Sequence, residues 1–152
     1  MESLRTDATI KRVMINDDPE KVLSFDPTDT LFVDRFYALL GDFEGKQAEY
    51  EKRAEKIDKV QDVDSHGLPV NIPERLQFMK DMCEDMCAGI DRVFGDRTSQ
   101  MLFDGRLSLE AIGQFFESVT PFVTSVRSQK VAQYVPTPPG TTKRKAKPKV
   151  MR

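Results

Sequence analysis

The sequence predicts a mainly α protein. Three principal helices, the first long and heptad-patterned, follow a short N-terminal β-hairpin and precede a disordered basic C-terminal tail. Three observations carry this reading. Apolar residues recur at three- and four-residue steps over three long stretches, the period of a helix with one buried side. A β-branched run, Thr9 to Ile15, stands near the start. From Pro136 the chain turns to Pro, Gly, Thr and Lys, with nothing to bury. The expected division is a disordered start over 1–7, one helical domain over 8–135 and a flexible tail over 136–152.

Each element has a local reason. Asn16-Asp17-Asp18-Pro19 has turn chemistry between Thr9–Ile15 and a second extended stretch, Val22–Phe25. A lone two-stranded hairpin is marginal in water, so it must lie on a helix or pair with another chain. Asp26-Pro27-Thr28-Asp29 reads as a helix start, with Asp26 as cap and Pro27 in the first turn. The helix can run to about Val60 on a seam of Phe36, Leu40, Phe43, Gln47, Tyr50, Ala54 and Ile57, in heptad steps. Gly41 and Gly45 weaken it by about 1 kcal/mol each relative to Ala and invite a break.

Gly67, Pro69 and Pro73 mark the next loop. A second helix from about Pro73 to Phe94 buries Leu76, Met79, Cys83, Met86, Ile90 and Val93, and Gly95 ends it. Residues 96–103 make one or two turns, and Asp104-Gly105 is a turn. Ser108 caps the last helix, whose wide apolar face holds Leu109, Ile112, Phe115, Phe116, Val119, Phe122, Val123 and Val126. Pro121 lies inside it, and the missing amide and ring clash should bend or interrupt the helix near Val119.

Composition narrows the function classes. The chain has 152 residues, enough for one domain with a core. It is 39% hydrophobic and 32% charged, too apolar for a fully disordered chain. No apolar run is long enough to span a bilayer, and Met1-Glu2-Ser3-Leu4-Arg5 lacks the order of a secretion signal. A cytosolic protein with reduced Cys83 and Cys87 is expected. The net charge of −2 hides an asymmetry. Lys143, Arg144, Lys145, Lys147, Lys149 and Arg152 leave 17 bases against 25 acids, so residues 1–140 carry −8.

Chemistry-bearing patterns are weak. The loop Asp62-Val63-Asp64-Ser65-His66-Gly67 has the first, third and sixth residues of a calcium loop. His66 then replaces an oxygen ligand, Pro73 holds the twelfth place and Glu74 comes one residue late, so an ordinary polar turn is preferred. Cys83 and Cys87 face one way on a helix, but four ligands are usual for structural zinc and His66 is the only histidine to add. A thiol nucleophile needs a base in reach, and nothing in the sequence places His66 there. No acid–base pair or phosphate-binding glycine loop stands out. The tail cations lack interleaved aromatics, so dedicated nucleic-acid recognition is not expected. Neither a catalytic residue, nor a cofactor, nor a metal is assigned, and no enzyme activity is expected.

The remaining signal is apolar surface. Ten phenylalanines and seven methionines are many for a chain of this size. Fully burying one such side chain stabilises by about 1.5–3 kcal/mol. Either these faces close into the monomer core, or one stays open for another chain. The open candidates are the seam of the first helix and the last helix, where Phe115, Phe116, Phe122, Val123 and Val126 are the partner-binding candidates.

Three segments together carry a resemblance. They are Ser24-Phe25-Asp26-Pro27-Thr28-Asp29 with Phe32 to Tyr37, the charged stretch Tyr50 to Asp58, and Ile90 to Ser99 followed by Leu102 to Gly105 and Leu109 to Phe116. This pattern, over about residues 8–132, resembles small acidic tail assembly chaperones of phages and prophages of Gram-positive bacteria. The basic tail after Pro136 falls outside it. The resemblance implies binding to the phage tape-measure protein during tail morphogenesis, in the cytoplasm of the infected or lysogenic host. It also implies self-association, with the tail-tube protein as a further candidate partner and no membrane or specific nucleic acid. No site residue carries over. The alternative is a structural virion component, such as a head–tail connector or minor tail protein. A metal-dependent or thiol enzyme stands far behind both.

Overall fold

The computed structural model describes the backbone of residues 1–127 and side chains as far as Thr124. The expected tail over 136–152 lies outside the described residues. The described chain is mainly helical behind an N-terminal hairpin. Two antiparallel strands, β1 (Lys11–Ile15) and β2 (Asp18–Phe25), precede α1 (Thr30–Asp58), α2 (Ile72–Phe94), the short α3 (Thr98–Phe103) and α4 (Leu109–Arg127).

The hairpin turn is tighter than the four-residue turn expected. Asn16 and Asp17 both take positive φ, 53° and 60°, the geometry of a two-residue turn that matches strand twist. β2 therefore begins at Asp18, four residues earlier than expected. Pairing runs Lys11↔Phe25 to Met14↔Val22, then shifts to Ile15↔Asp18. Pro19 sits in that irregular stretch, where its missing amide costs no regular ladder bond. Leu23 and Phe25 alternate inward and are buried.

α1 starts three residues later than expected. Asp29 is the cap, its carboxylate accepting from the Leu31 amide at 3.0 Å. Asp26 is engaged instead with the amide and hydroxyl of Thr28 and the hydroxyl of Thr9. Those bonds hold its carboxyl below the usual range, the Thr28 hydroxyl contributing most. α1 continues unbroken through Gly41 and Gly45, which face open space. α4 likewise continues through Pro121 as one helix, and the Thr120 hydroxyl donates to Phe116 O at 2.6 Å nearby. Gly95 ends α2 at φ 117°, and Ser108 Oγ accepts from the Ala111 amide at 3.2 Å.

α1 and α2 run antiparallel. Their contacts descend one helix as they climb the other: Asp42 with Arg92, Lys46 with Asp85, Arg53 with Asp81, and Ile57 O with the Asn71 amide group. The heptad seam of α1 is thus met within the chain, with Tyr50 and Phe78 rings 6.2 Å apart and Arg53 over Phe78. Gln47 alone of that seam is exposed and bonds Glu51. Asn71, 8% exposed, makes no capping bond; it ties Ile57 O to Arg75 across the loop. The ion pairs along the seam are half in water, where solvent screening leaves exposed pairs little net effect on stability.

The core divides into two touching clusters. Leu23, Phe25, Phe32, Phe36, Val119 and Val123 join the hairpin to α1 and α4. Cys83, Ile90, Leu102, Phe103 and Ile112 join α2, α3 and α4. Phe94 bridges them: its ring lies 5.2 to 6.4 Å from those of Phe25, Phe32, Phe36 and Phe115. Edge-on ring pairs of this kind add about 0.5–1.5 kcal/mol beyond the area they bury. Among the described residues, no helix is long and apolar enough to cross a membrane.

Phe36 is fully buried. Phe36→Ala is expected to cost about 3–5 kcal/mol, measured by urea unfolding. A second test uses Tyr50, whose phenol is pushed up to about 12 by burial first and then by the Asp85 carboxylate it bonds at 2.8 Å. The folded value exceeds the ordinary 10.0, so the phenol's contribution to stability is complete below pH 10 and is lost as pH rises through 12. Phenolate absorbance, read against Tyr50→Phe, should show this titration, and Asp85→Asn should move it partway back toward 10.

Candidate protein-docking groove

A concavity lies between the hairpin and α4. It is open, with a volume of about 340 Å³. Val13, Met14, Ile15 and Asn16, with Leu23 and Phe25 of β2, form one wall and α4 the other, and Leu102, Phe103 and Arg106 close one side. Three consecutive residues of β1 and the first residue of the turn line it. Successive strand side chains point to opposite faces, so a lining with Val13, Ile15, Leu23 and Phe25 from the inner face and Met14 from the other reaches from under the hairpin out to the edge of β1. Among the described residues the sheet has two strands, and β1 pairs with β2 alone. The outer edge of β1 therefore carries backbone amides and carbonyls with no ladder partner, a template for strand pairing.

α4 supplies the opposite wall by its periodicity. Ala111, Phe115, Ser118, Val119 and Phe122 share one side at steps of three and four. From Ala111 to Phe122 the wall is about 17 Å long, at 1.5 Å per residue. The lining is apolar apart from Asn16, Gln114, Ser118 and Arg106, and Arg106 is its only charged residue. Arg106 Nε donates to Phe103 O at 3.0 Å, which leaves the rest of the guanidinium at the rim.

The five partner-binding candidates separate here. Phe115 and Phe122 line the groove. Phe115 is also a core ring, 5.3 Å from Phe94 and 6.4 Å from Phe103. Phe122 is 37% exposed and edge-on to Phe25 at 5.8 Å. Phe116 turns the other way, to Phe36 and Phe43 of α1. Val123 is fully buried in the first cluster. The side chain of Val126 lies outside the described residues. Phe116 lies about 100° round the helix from Phe115, and although their rings meet edge-on at 5.3 Å it does not line the groove. Val13, Ile15, Arg106, Ala111 and Ser118 were not expected at this site. The spacing of Ala111, Phe115, Ser118 and Phe122 was visible in the sequence; the approach of β1, roughly a hundred residues away, was not.

The other candidates are structural in their surroundings. Asp64 accepts the amides of His66 at 2.8 Å and Leu68 at 3.1 Å, holding a turn closed by the Val63↔Pro69 bridge. Gly67 takes φ 77° there. Among the described residues, no three His, Cys, Asp or Glu side chains converge as a metal site. Cys83 is buried beside Ile90 and Ile112, and burial is the main force pushing both the Cys83 and Cys87 thiols up. That favours the thiol over the nucleophilic thiolate.

The two groove phenylalanines should differ in cost. Phe115→Ala is expected to lose about 3–5 kcal/mol and Phe122→Ala roughly 1–2 kcal/mol, ordered by urea midpoints at constant slope. Equal costs would contradict the placement of Phe115 in the core.

No curated protein and no solved structure matches the chain. Residues 20–148 match a family of unknown function, DUF6673, from within β2 into the basic tail. The tail is thus largely inside the family's pattern rather than an addition peculiar to this chain, and the protein belongs to the DUF6673 family.

Proposed function

We propose that the protein is a phage tail assembly chaperone that binds the tape-measure protein in the host cytoplasm during tail morphogenesis. One observation supports this reading most directly: the open apolar groove between the edge of β1 and the Ala111–Phe122 face of α4. A groove of this kind takes either an extended segment, through the strand edge, or the apolar side of a helix, through Phe115, Val119 and Phe122. A tape-measure protein, as the resemblance implies, is a long amphipathic helix that needs its apolar side covered before tube subunits reach it. The rest of the surface suits the role of a soluble cover. The residues before the tail are acidic in balance, and the long α1–α2 pair closes its own seam.

Phe115→Asp is unsuited to test this, because the ring belongs to the core. The Ser118→Arg/Phe122→Asp variant changes groove residues that are already exposed. Co-purification with tape-measure fragments is expected for the unaltered chain. The variant, shown to be folded by its circular dichroism, is expected to bind at least about tenfold more weakly, a loss of about 1.4 kcal/mol. Unchanged binding by the folded variant would contradict the groove as the docking site. Detection of the protein in purified virions would favour the structural-component alternative.

A further inference from the structure

α2 carries one apolar stripe along most of its length, and only part of it is covered. Leu76, Met79, Cys83, Met86 and Ile90 follow steps of three and four, so they lie on one side of the helix. Cys83 and Ile90 are buried, packed in one cluster with Leu102 and Phe103 of α3 and Ile112 of α4. Leu76 and Met79, which the same spacing predicts as buried, are 54% and 47% exposed. α1 shows the same division. Phe36 and Phe43 meet the Phe116 ring of α4 at 6.5 and 5.7 Å. Gln47, one turn further on, is exposed, and Ala54 is half-buried. The cause is where α4 starts. It runs antiparallel to α1, from Ile112 in the cluster of Cys83 to Val119 and Val123 in that of Phe32 and Phe36, and it begins only at Leu109. α1 and α2 continue past that start toward the loop that joins them, closed against each other by Tyr50 on Phe78 and Arg53 on Asp81. Over this stretch, about eleven residues or about 17 Å of each helix, the side on which α4 sits has no third helix among the described residues.

We infer that this open cleft takes an amphipathic helix of another protein, seated end to end with α4 and basic along the edge that faces α1. The cleft selects a helix, because α4 fills the same side of the pair further along. The flank of α1 selects the charge. Glu44, Glu51 and Glu55 are all exposed, at steps of seven and four, on the side of α1 turned away from the Lys46, Tyr50 and Arg53 contacts with α2. Glu44 and Glu51 stand three and four residues from Gln47, so they border the cleft; Lys52 and Lys56 fall on the opposite side of the helix. The flank of α2 is mixed, with Lys80 and Glu84, so the α1 edge sets the preference. A row of carboxylates beside an apolar floor pairs with lysine or arginine on the flank of an incoming helix, as the flanking positions of coiled coils do. Leu76 and Met79 are that floor, and methionine adapts its shape to differing partners. None of these residues lines the groove between the hairpin and α4, so the inference stands apart from the function proposed above.

The probe is a fluorescein-labelled three-heptad peptide with leucine along its apolar side and lysine along one flank, titrated with the full chain. Saturable anisotropy is expected. Replacing the flank lysines by glutamates should raise the dissociation constant at least about tenfold. Glu51→Lys/Glu55→Lys, both at exposed positions, should reverse that preference. Leu76→Asp/Met79→Asp, also at exposed positions, should keep the circular dichroism of the unaltered chain and weaken the lysine peptide at least about tenfold. Ser118→Arg/Phe122→Asp should leave peptide binding unchanged, which separates this cleft from the groove of the proposed function. No saturable binding, equal binding of the two peptides, or unchanged binding by the folded Leu76→Asp/Met79→Asp chain would overturn the inference. So would a dimer of the unaltered chain, seen by sedimentation without peptide and lost in Leu76→Asp/Met79→Asp, because the cleft would then belong to a second copy.

Discussion

The fold depends on the packing of Phe94. It sits at the last position of α2, yet its ring meets residues of β2, α1 and α4. Each of those elements is weak alone. A two-stranded hairpin is marginal in water, and a helix takes most of its stability from burying one side. Phe25, Phe32, Phe36 and Phe115 bring their faces and edges to one centre, so burying each ring also fixes the position of another element. Gly95 follows at once and lets the chain turn away from the crowded ring cluster at positive φ.

That constraint explains where the molecule is closed and where it is open. The hairpin is held to the helices through the inward residues of β2, Leu23 and Phe25. β1 hangs from β2 by its ladder, with Val13 and Ile15 only partly covered. α4 spends Ile112, Val119 and Val123 on the core and has a further stripe, Ala111, Phe115 and Phe122, turned toward β1. A sheet of two strands is too narrow to cover that stripe. The groove lies between that stripe and the hairpin, lined by Val13, Ile15, Leu23 and Phe25, and the docking reading follows from that geometric deficit.

Much of the fold was legible because its signals are local. Pro73 and Gly95 bracket α2, Ser108 caps α4 and the Asn16-Asp17 turn lies where turn chemistry predicts. Errors arose where two local signals compete. Asp26 and Asp29 are both capable caps, and the choice depends on Thr9 reaching Asp26 from the hairpin. Pro121 and the glycines of α1 weaken helices in isolation, but the packed rings on either side hold those helices together. The candidate site was half legible. The apolar width of α4 announced a surplus, but which of Phe115, Phe116, Phe122 and Val123 stays accessible depends on α1 and β1 arriving from opposite sides. Only the tertiary arrangement decides that.

Hydrogen–deuterium exchange on the full chain, with and without a saturating tape-measure fragment, tests the central claim most directly, because it reads the two walls of the groove separately. The account predicts that peptides covering Val13–Asn16 and Ala111–Phe122 slow together, while the 62–70 loop keeps its free rate. Protection confined to the α1–α2 pair, or absent from both walls, would contradict it.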